Sequence, residues 1–218
     1  MAKHIDIRKY KLDPNEIREI KLDGNKIIKY FAKQVYTDHY SSREEPSGTE
    51  YYDWFDGCEE ILDIGAGMGS SLNELKNRGK KVMGITCNPI EKNVARQKYD
   101  LDLILADMHD IPFSDDFFDG IMMWDVLEHS LAPYIALSEA RRVLKEDGKL
   151  LLYMPGEDWI ECSYHYSVMN PRQAMFLLRR LGFEISPTSR VNAVTKEGIY
   201  KATKKKFNED EFNKKYNK

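Results

Sequence analysis

ILDIGAGMGS, residues 61–70, is an apolar run that gives way to alternating glycines. Ile61, Leu62 and Ile64 make a short apolar run, interrupted only by Asp63 and stopped by glycines at 65, 67 and 69. An apolar run ending at glycine reads as a buried strand that turns sharply into the next element. Gly65 and Gly67 can take backbone angles closed to other residues and let the main chain approach a ligand closely. Downstream the same unit recurs. Strands are expected at 81–86, 101–107, 117–124, 148–155 and 182–186, and helices at about 69–78, 89–98, 133–145 and 171–180. Residues 190–203 supply a last strand at one sheet edge. Continuous apolar strands alternating with helices indicate an α/β fold, a mostly parallel sheet covered on both faces. Ligands of such sheets sit beyond the carboxyl ends of the strands, at the switch point, so the loops after the strands should carry the chemistry.

Working upstream, residues 1–55 read as a cap packed on the core. Asp13-Pro14 is a helix-start signal, after which Ile17 and Ile20 share a face. Ile27, Ile28, Phe31 and Val35 recur at helical spacing and predict a second helix over 25–38. Residues 37–49 read as a loop, and Tyr51, Tyr52, Trp54 and Phe55 as a short helix on the core. Phe31, Tyr36, His39, Tyr40, Tyr51 and Tyr52 either form an aromatic lid or simply pack on the sheet. Residues 56–203 then form the ligand-binding domain, and 204–218 a charged tail, helical or frayed.

Composition bounds the function. With 42% hydrophobic and 32% charged residues the chain reads as a soluble globular protein. A net charge of −3 gives no global reason to bind nucleic acid or an anionic membrane. No apolar run approaches the roughly 20 residues of a membrane helix, and the polar start MAKHIDIRKYKLD carries no signal-peptide core. Cys58, Cys87 and Cys162 are scattered, without metal-binding spacing, so reduced thiols and a cytoplasmic location are expected.

The glycine spacing bears on the ligand. A dinucleotide fingerprint is G-x-G-x-x-G with pyrophosphate on the helix N-terminus. Here its third glycine position is Ser70, and the glycine falls one residue early, at Gly69. Asp63 would repel a pyrophosphate and would suit a ligand with a positive amino group. An NAD(P)-dependent oxidoreductase is therefore disfavoured, also because no acid ends the second strand.

The segment ILDIGAGMGS resembles motif I of class I S-adenosylmethionine-dependent methyltransferases, of the small-molecule, type 11-like kind. ADMHDIPFSDDFFDGIMMWDVLEH is similar to their third-to-fourth-strand region, and ARRVLKEDGKLLLYMP to the helix and strand that follow. The resemblance runs from about 60 to 186. It implies a Rossmann-like, doubly wound, seven-stranded, mostly parallel sheet with an antiparallel edge strand, here with an N-terminal helical cap. It also implies S-adenosyl-L-methionine as cofactor and transfer of its methyl group to a small-molecule oxygen or nitrogen, with no nucleic-acid or membrane partner.

By that resemblance the cofactor contacts fall on Asp63, Gly65, Ala66 and Gly67 in the glycine loop, and on Thr86, Cys87 and Asn88 after the second strand. Asp107 would accept from the adenine amino group while the Met108 backbone donates to a ring nitrogen. Trp124 and Asp125 would meet the methionine end. Many members end the second strand with an acid for the ribose. Here Thr86 or Asn88 must serve, and the nearest acid is Glu91. Methyl transfer needs positioning above all, and an oxygen or nitrogen acceptor can also need a base. The candidate bases are His165, on an aromatic segment after the fifth strand, and His129, with Glu128 and the Tyr164–Tyr166 group beside them. Asp125, Glu128 and His129 share a face if helical, and Glu128, His129 and His165 could together hold a divalent cation. A non-catalytic or regulatory protein that keeps the cofactor site is the alternative.

Overall fold

A computed structural model describes residues 45–162 and 164–216 in full, together with the backbone of two strands near the N-terminus. Those strands, β1 (Ile17–Leu22) and β2 (Lys26–Phe31), pair antiparallel with Ile17 opposite Phe31. The main sheet is built from β3 (Glu60–Ile64), β4 (Lys81–Thr86), β5 (Ile104–Leu105), β6 (Phe118–Trp124), β7 (Leu144–Met154), β8 (Phe183–Ile185), β9 (Arg190–Val191) and β10 (Gly198–Lys204). Its order is β5-β4-β3-β6-β7-β10-β8, with β9 also on β10. Pairs from β5 through β7 are parallel, and β10 runs antiparallel to β7, β8 and β9. The helices are α1 (Ser70–Asn77), α2 (Pro89–Tyr99), α3 (Pro133–Val143), α4 (Pro171–Arg180) and α5 (Glu209–Tyr216).

The apolar runs are continuous because both sheet faces are covered. In β3, Leu62 and Ile64 pack into the layer under α3 and α4, whereas Ile61 packs with Tyr52, Phe55 and Leu75 on the other side. Each of these three β3 side chains is fully buried, which stabilises the fold by about 1.5–3 kcal/mol apiece. A third cluster, Ala66, Leu72, Ala95, Leu101 and Leu103, seats α1 and α2 beside the glycine loop.

Two helix starts follow one rule. Asn88 Oδ1 accepts from the Ile90 N–H at 2.8 Å, with Pro89 at the first helical position. Asn170 and Gln173 form a reciprocal capping box before Pro171 begins α4. On the far edge, Arg142 of α3 ties down the loop before β6. Its guanidinium donates to Glu139 and Asp115 and to the carbonyls of Ile111 and Phe113.

The N-terminal region corrects the expected helical cap. Residues 26–31 of the predicted 25–38 helix form strand β2, and Ile17 and Ile20 lie in β1 rather than on a helix face. KIIKYF is rich in β-branched and aromatic residues, and Asp23-Gly24 between the strands is a hairpin signal. Tyr36, His39 and Tyr40 lie outside the described residues. Elsewhere the differences are of extent. The third strand shrinks to Ile104–Leu105, because Leu101 and Leu103 turn into the cluster under α1 and α2. Helix α3 stops at Val143, and β7 begins four residues before the expected start, at Leu144, with a register shift opposite Phe118–Gly120. Residues 49–55 form a 3-10 helix, and the tail from 209 to 216 is helical.

Candidate active site

Strand order reverses at β3: β4 and β5 lie to one side, β6 and β7 to the other. A cavity of about 490 Å³ opens there, beyond the carboxyl ends of β3, β4, β5 and β6, within the size range of small-molecule sites. Asp63, Gly65, Ala66, Gly67, Thr86, Cys87, Asn88, Asp107, Met108, Trp124 and Asp125 all line it, as do His129 and His165. The structure thus brings these residues to one cavity together with Glu128 and Tyr164, whereas Tyr166 does not line it.

The floor is the glycine loop. Gly65 has φ +76, and a Cβ there would lie 2.3 Å from Val126 Cγ2, so only glycine fits. The N–H groups of Gly65 and Ala66 both donate to the Ile85 carbonyl, which fixes the loop against β4. Asp63 is 2% exposed. Burial pushes its carboxyl up to about 7, so ionising it in this pocket calls for a positive partner.

Glu91 supplies the acid that the end of β4 lacks. It lies in the first turn of α2, is buried, and lines the cavity. The Thr86 hydroxyl donates to Glu91 Oε2 and accepts from the Asn88 N–H at 3.0 Å, while Asn88 Oδ1 caps α2. Thr86 and Asn88, expected as the neutral acceptors at this strand end, position Glu91 and open the helix. The signal for Glu91 was in the sequence, as an acid one turn into a helix opened by Asn-Pro.

Asp107 is held by a network that its neighbours' spacing did not announce. Asp107 Oδ1 accepts from the His109 N–H at 2.9 Å and from His109 Nδ1 at 2.7 Å. His109 Nε2 lies 2.6 Å from Ser130 Oγ, and Ser130 Oγ accepts from the Ala132 N–H. The His109 and Ser130 side chains are buried and absent from the cavity lining. The relay therefore ties the loop after β5 to the start of α3 and orients Asp107.

Trp124 forms an aromatic stack at the end of β6. Its ring lies 4.8 Å from Tyr153 at 10° and 6.0 Å from Tyr51 at 27°. A Cβ on Gly48 would collide with that indole at 2.2 Å, and Gly48 has φ +66. Ser47 joins the cavity lining, and its N–H donates to Ser71 Oγ, so segment 45–48 lies across the start of α1. Tyr51 thus backs Trp124 without lining the cavity, whereas Tyr52 is buried in the core.

On the opposite wall, Asp125 adopts φ 51 and Leu127–His129 form a 3-10 turn. Glu128 is 1% exposed. Burial, with the Asp125 charge second, pushes its carboxyl up to about 8. The Tyr166 and Ser167 N–H groups donate to the Glu128 carbonyl, which docks loop 156–169 and brings His165 to within 4.9 Å of the His129 ring. Burial likewise pushes the Cys87 thiol up to about 12, so it is a neutral wall rather than a nucleophile.

Comparison with known proteins agrees with this geometry. Residues 62–152 match the family described as a methyltransferase domain. A demethylmenaquinone methyltransferase of Tropheryma whipplei is 35% identical over 98 residues, 43% of this chain and 41% of its own length. The O-methyltransferase cnsE of Penicillium expansum is 33% identical over 102 residues, 43% of this chain and 37% of its own. The chain thus spans about two fifths or less of the curated relatives it matches. A structure of a SAM-dependent methyltransferase from Methanosarcina mazei has a TM-score of 0.63 at 20% identity, covering 73% of this chain and 99% of that one. Segment 62–152 thus matches a methyltransferase domain, and the chain has the Rossmann-like fold of that solved S-adenosylmethionine-dependent methyltransferase. Among the described residues no helix is long and apolar enough to cross a membrane.

Proposed function

We propose that this chain transfers a methyl group from S-adenosylmethionine to an oxygen or nitrogen of a small-molecule acceptor. The observation that carries the reading is the placement of three acids, Asp63, Glu91 and Asp107, around one cavity at the sheet's switch point. The donor set fits the group. Asp63, buried and raised toward neutrality, suits the ammonium of the methionine end. Glu91 offers a carboxyl oxygen as acceptor for ribose hydroxyls. Asp107 is an acceptor for the adenine amino group, with the Met108 main chain beside it as the second point of contact. Asp63, beside the glycine loop, would oppose a pyrophosphate there, which favours methyl transfer over a nicotinamide dinucleotide.

Bound there, the cofactor supplies a methyl group already activated by its sulfonium. The protein's share is to position the acceptor and exclude water. Trp124 and Tyr153, stacked on one another, and Ser47 line one side. His129 and His165 stand on the other wall, where a base or an acceptor-binding group is needed. The curated relatives named above support a small-molecule acceptor. Incubating the chain with radiolabelled S-adenosylmethionine and a panel of hydroxylated and amino acceptors tests the activity. Label should move to one chemical class. Tight cofactor binding with no transfer to any class would favour a regulatory protein.

A further inference from the structure

The geometry points to a divalent transition-metal site formed by Glu128, His129 and His165, on the cavity wall, which binds the acceptor's hydroxyl group. The inference that it binds the acceptor rests on the methyl-transfer reading; the metal site itself does not.

The ligand atoms of these three residues all lie within 4.8 Å of one another, so one ion can reach them all with small rotations. The imidazoles are already set for it. His129 Nδ1 lies 2.9 Å from the Tyr164 carbonyl oxygen, and His165 Nδ1 lies 3.0 Å from that of Trp159. A carbonyl can only accept, so both rings carry their proton on Nδ1. In the neutral rings that leaves the Nε2 lone pairs as the coordinating atoms. A backbone carbonyl behind each ring nitrogen is the usual way a protein fixes the tautomer and direction of a metal-binding histidine. His129 Nε2 lies 4.0 Å from Glu128 Oε1.

Glu128 adds the independent observation. Its Oε2 is buried and has no hydrogen-bond partner among the described residues. A carboxyl oxygen left without a partner in the interior costs about 1–3 kcal/mol, and a cation would remove that cost. Two nitrogens and one oxygen select a first-row ion such as Zn²⁺, Mn²⁺ or Co²⁺ over Mg²⁺, which prefers oxygen ligands and water. Three protein ligands leave coordination positions open, the mark of a catalytic rather than a structural site. All three residues line the same cavity as Asp63 and Glu91, so an open position can face the bound acceptor. There the ion lowers the pKa of an acceptor hydroxyl. The hydroxyl proton leaves to water. The acceptor oxygen then forms the new C–O bond as the methyl–sulfur bond breaks, its electron pair staying on sulfur.

The test uses the full chain, stripped of metal, titrated with Co²⁺ and followed by visible d–d absorption, with Zn²⁺ as competitor. One ion per chain should bind. His129→Ala and His165→Ala should each weaken binding at least about tenfold, while melting and S-adenosylhomocysteine affinity stay as in the parent. Absence of the band in the parent chain, or Co²⁺ affinity in both variants equal to the parent's, overturns the site. Methylation that survives chelation in a chain that binds Co²⁺ overturns its role toward the acceptor. A normal cobalt band without S-adenosylhomocysteine binding would overturn the methyl-transfer reading and leave the metal site standing.

Discussion

Replacing Asp63 by asparagine should stabilise the empty protein and weaken its hold on the cofactor. The carboxyl is 2% exposed, and burial raises it from 3.8 to about 7. At about 1.4 kcal/mol per pH unit, that displacement corresponds to roughly 4 kcal/mol. The sign follows from linkage. The folded state holds this proton more tightly than the unfolded chain. Wild-type stability therefore falls as pH rises from about 4 to about 7 and is flat beyond. The amide keeps the shape of the carboxyl without its charge. The Asp63→Asn variant should therefore match the parent near pH 4 and exceed it by up to roughly 4 kcal/mol at pH 8. For a chain of this size each kcal/mol moves Tm by about 2–4 °C, so the gain is readily seen in thermal melts at both pH values. The bound ammonium needs the ionised acid, so cofactor binding near pH 6 should release a proton, a release missing in the variant. Calorimetry in two buffers of different ionisation enthalpy reads this directly. A variant that melts lower than the parent at pH 8, or binds S-adenosylhomocysteine as tightly, would refute the reasoning.

Other consequences follow from the same geometry. Glu91→Gln should weaken S-adenosylhomocysteine binding about tenfold, the difference between a charged and a neutral acceptor, measured by calorimetry. Gly65→Ala must adopt φ +76 with a Cβ 2.3 Å from Val126. It should cost about 3 kcal/mol in denaturant melts, partly recovered by adding Val126→Ala. Arg142→Met strands the carbonyls of Ile111 and Phe113 and the Glu139 carboxylate. It should lower stability by about 2–3 kcal/mol, while the folded fraction binds cofactor unchanged.

The sheet from residue 60 onward was legible because a parallel sheet covered on both faces leaves little choice. ILDIG, KVMGIT and FFDGIMMW are apolar runs that only burial on both faces explains. The residues that line the cavity were legible for a related reason, since they follow directly on strand ends. The N-terminal hairpin was not. Ile27, Ile28 and Phe31 satisfy a helical period, and a short segment satisfies that period and a strand's about equally well. Glu91 was visible as the nearest acid but was passed over for Thr86 and Asn88, because it lies one helical turn beyond the strand end. The His109–Ser130 relay spans 21 residues and forms only once the fold is complete. The approach of His165 to Glu128 and His129 depends on loop 156–169 folding back, which no local pattern encodes.

Titrating the purified chain calorimetrically with S-adenosylmethionine, and then with its demethylated product, tests the central claim most directly. One molecule of either should bind per chain, with weaker binding in the Asp63→Asn and Glu91→Gln variants. No heat at millimolar ligand, or identical binding in both variants, would contradict it.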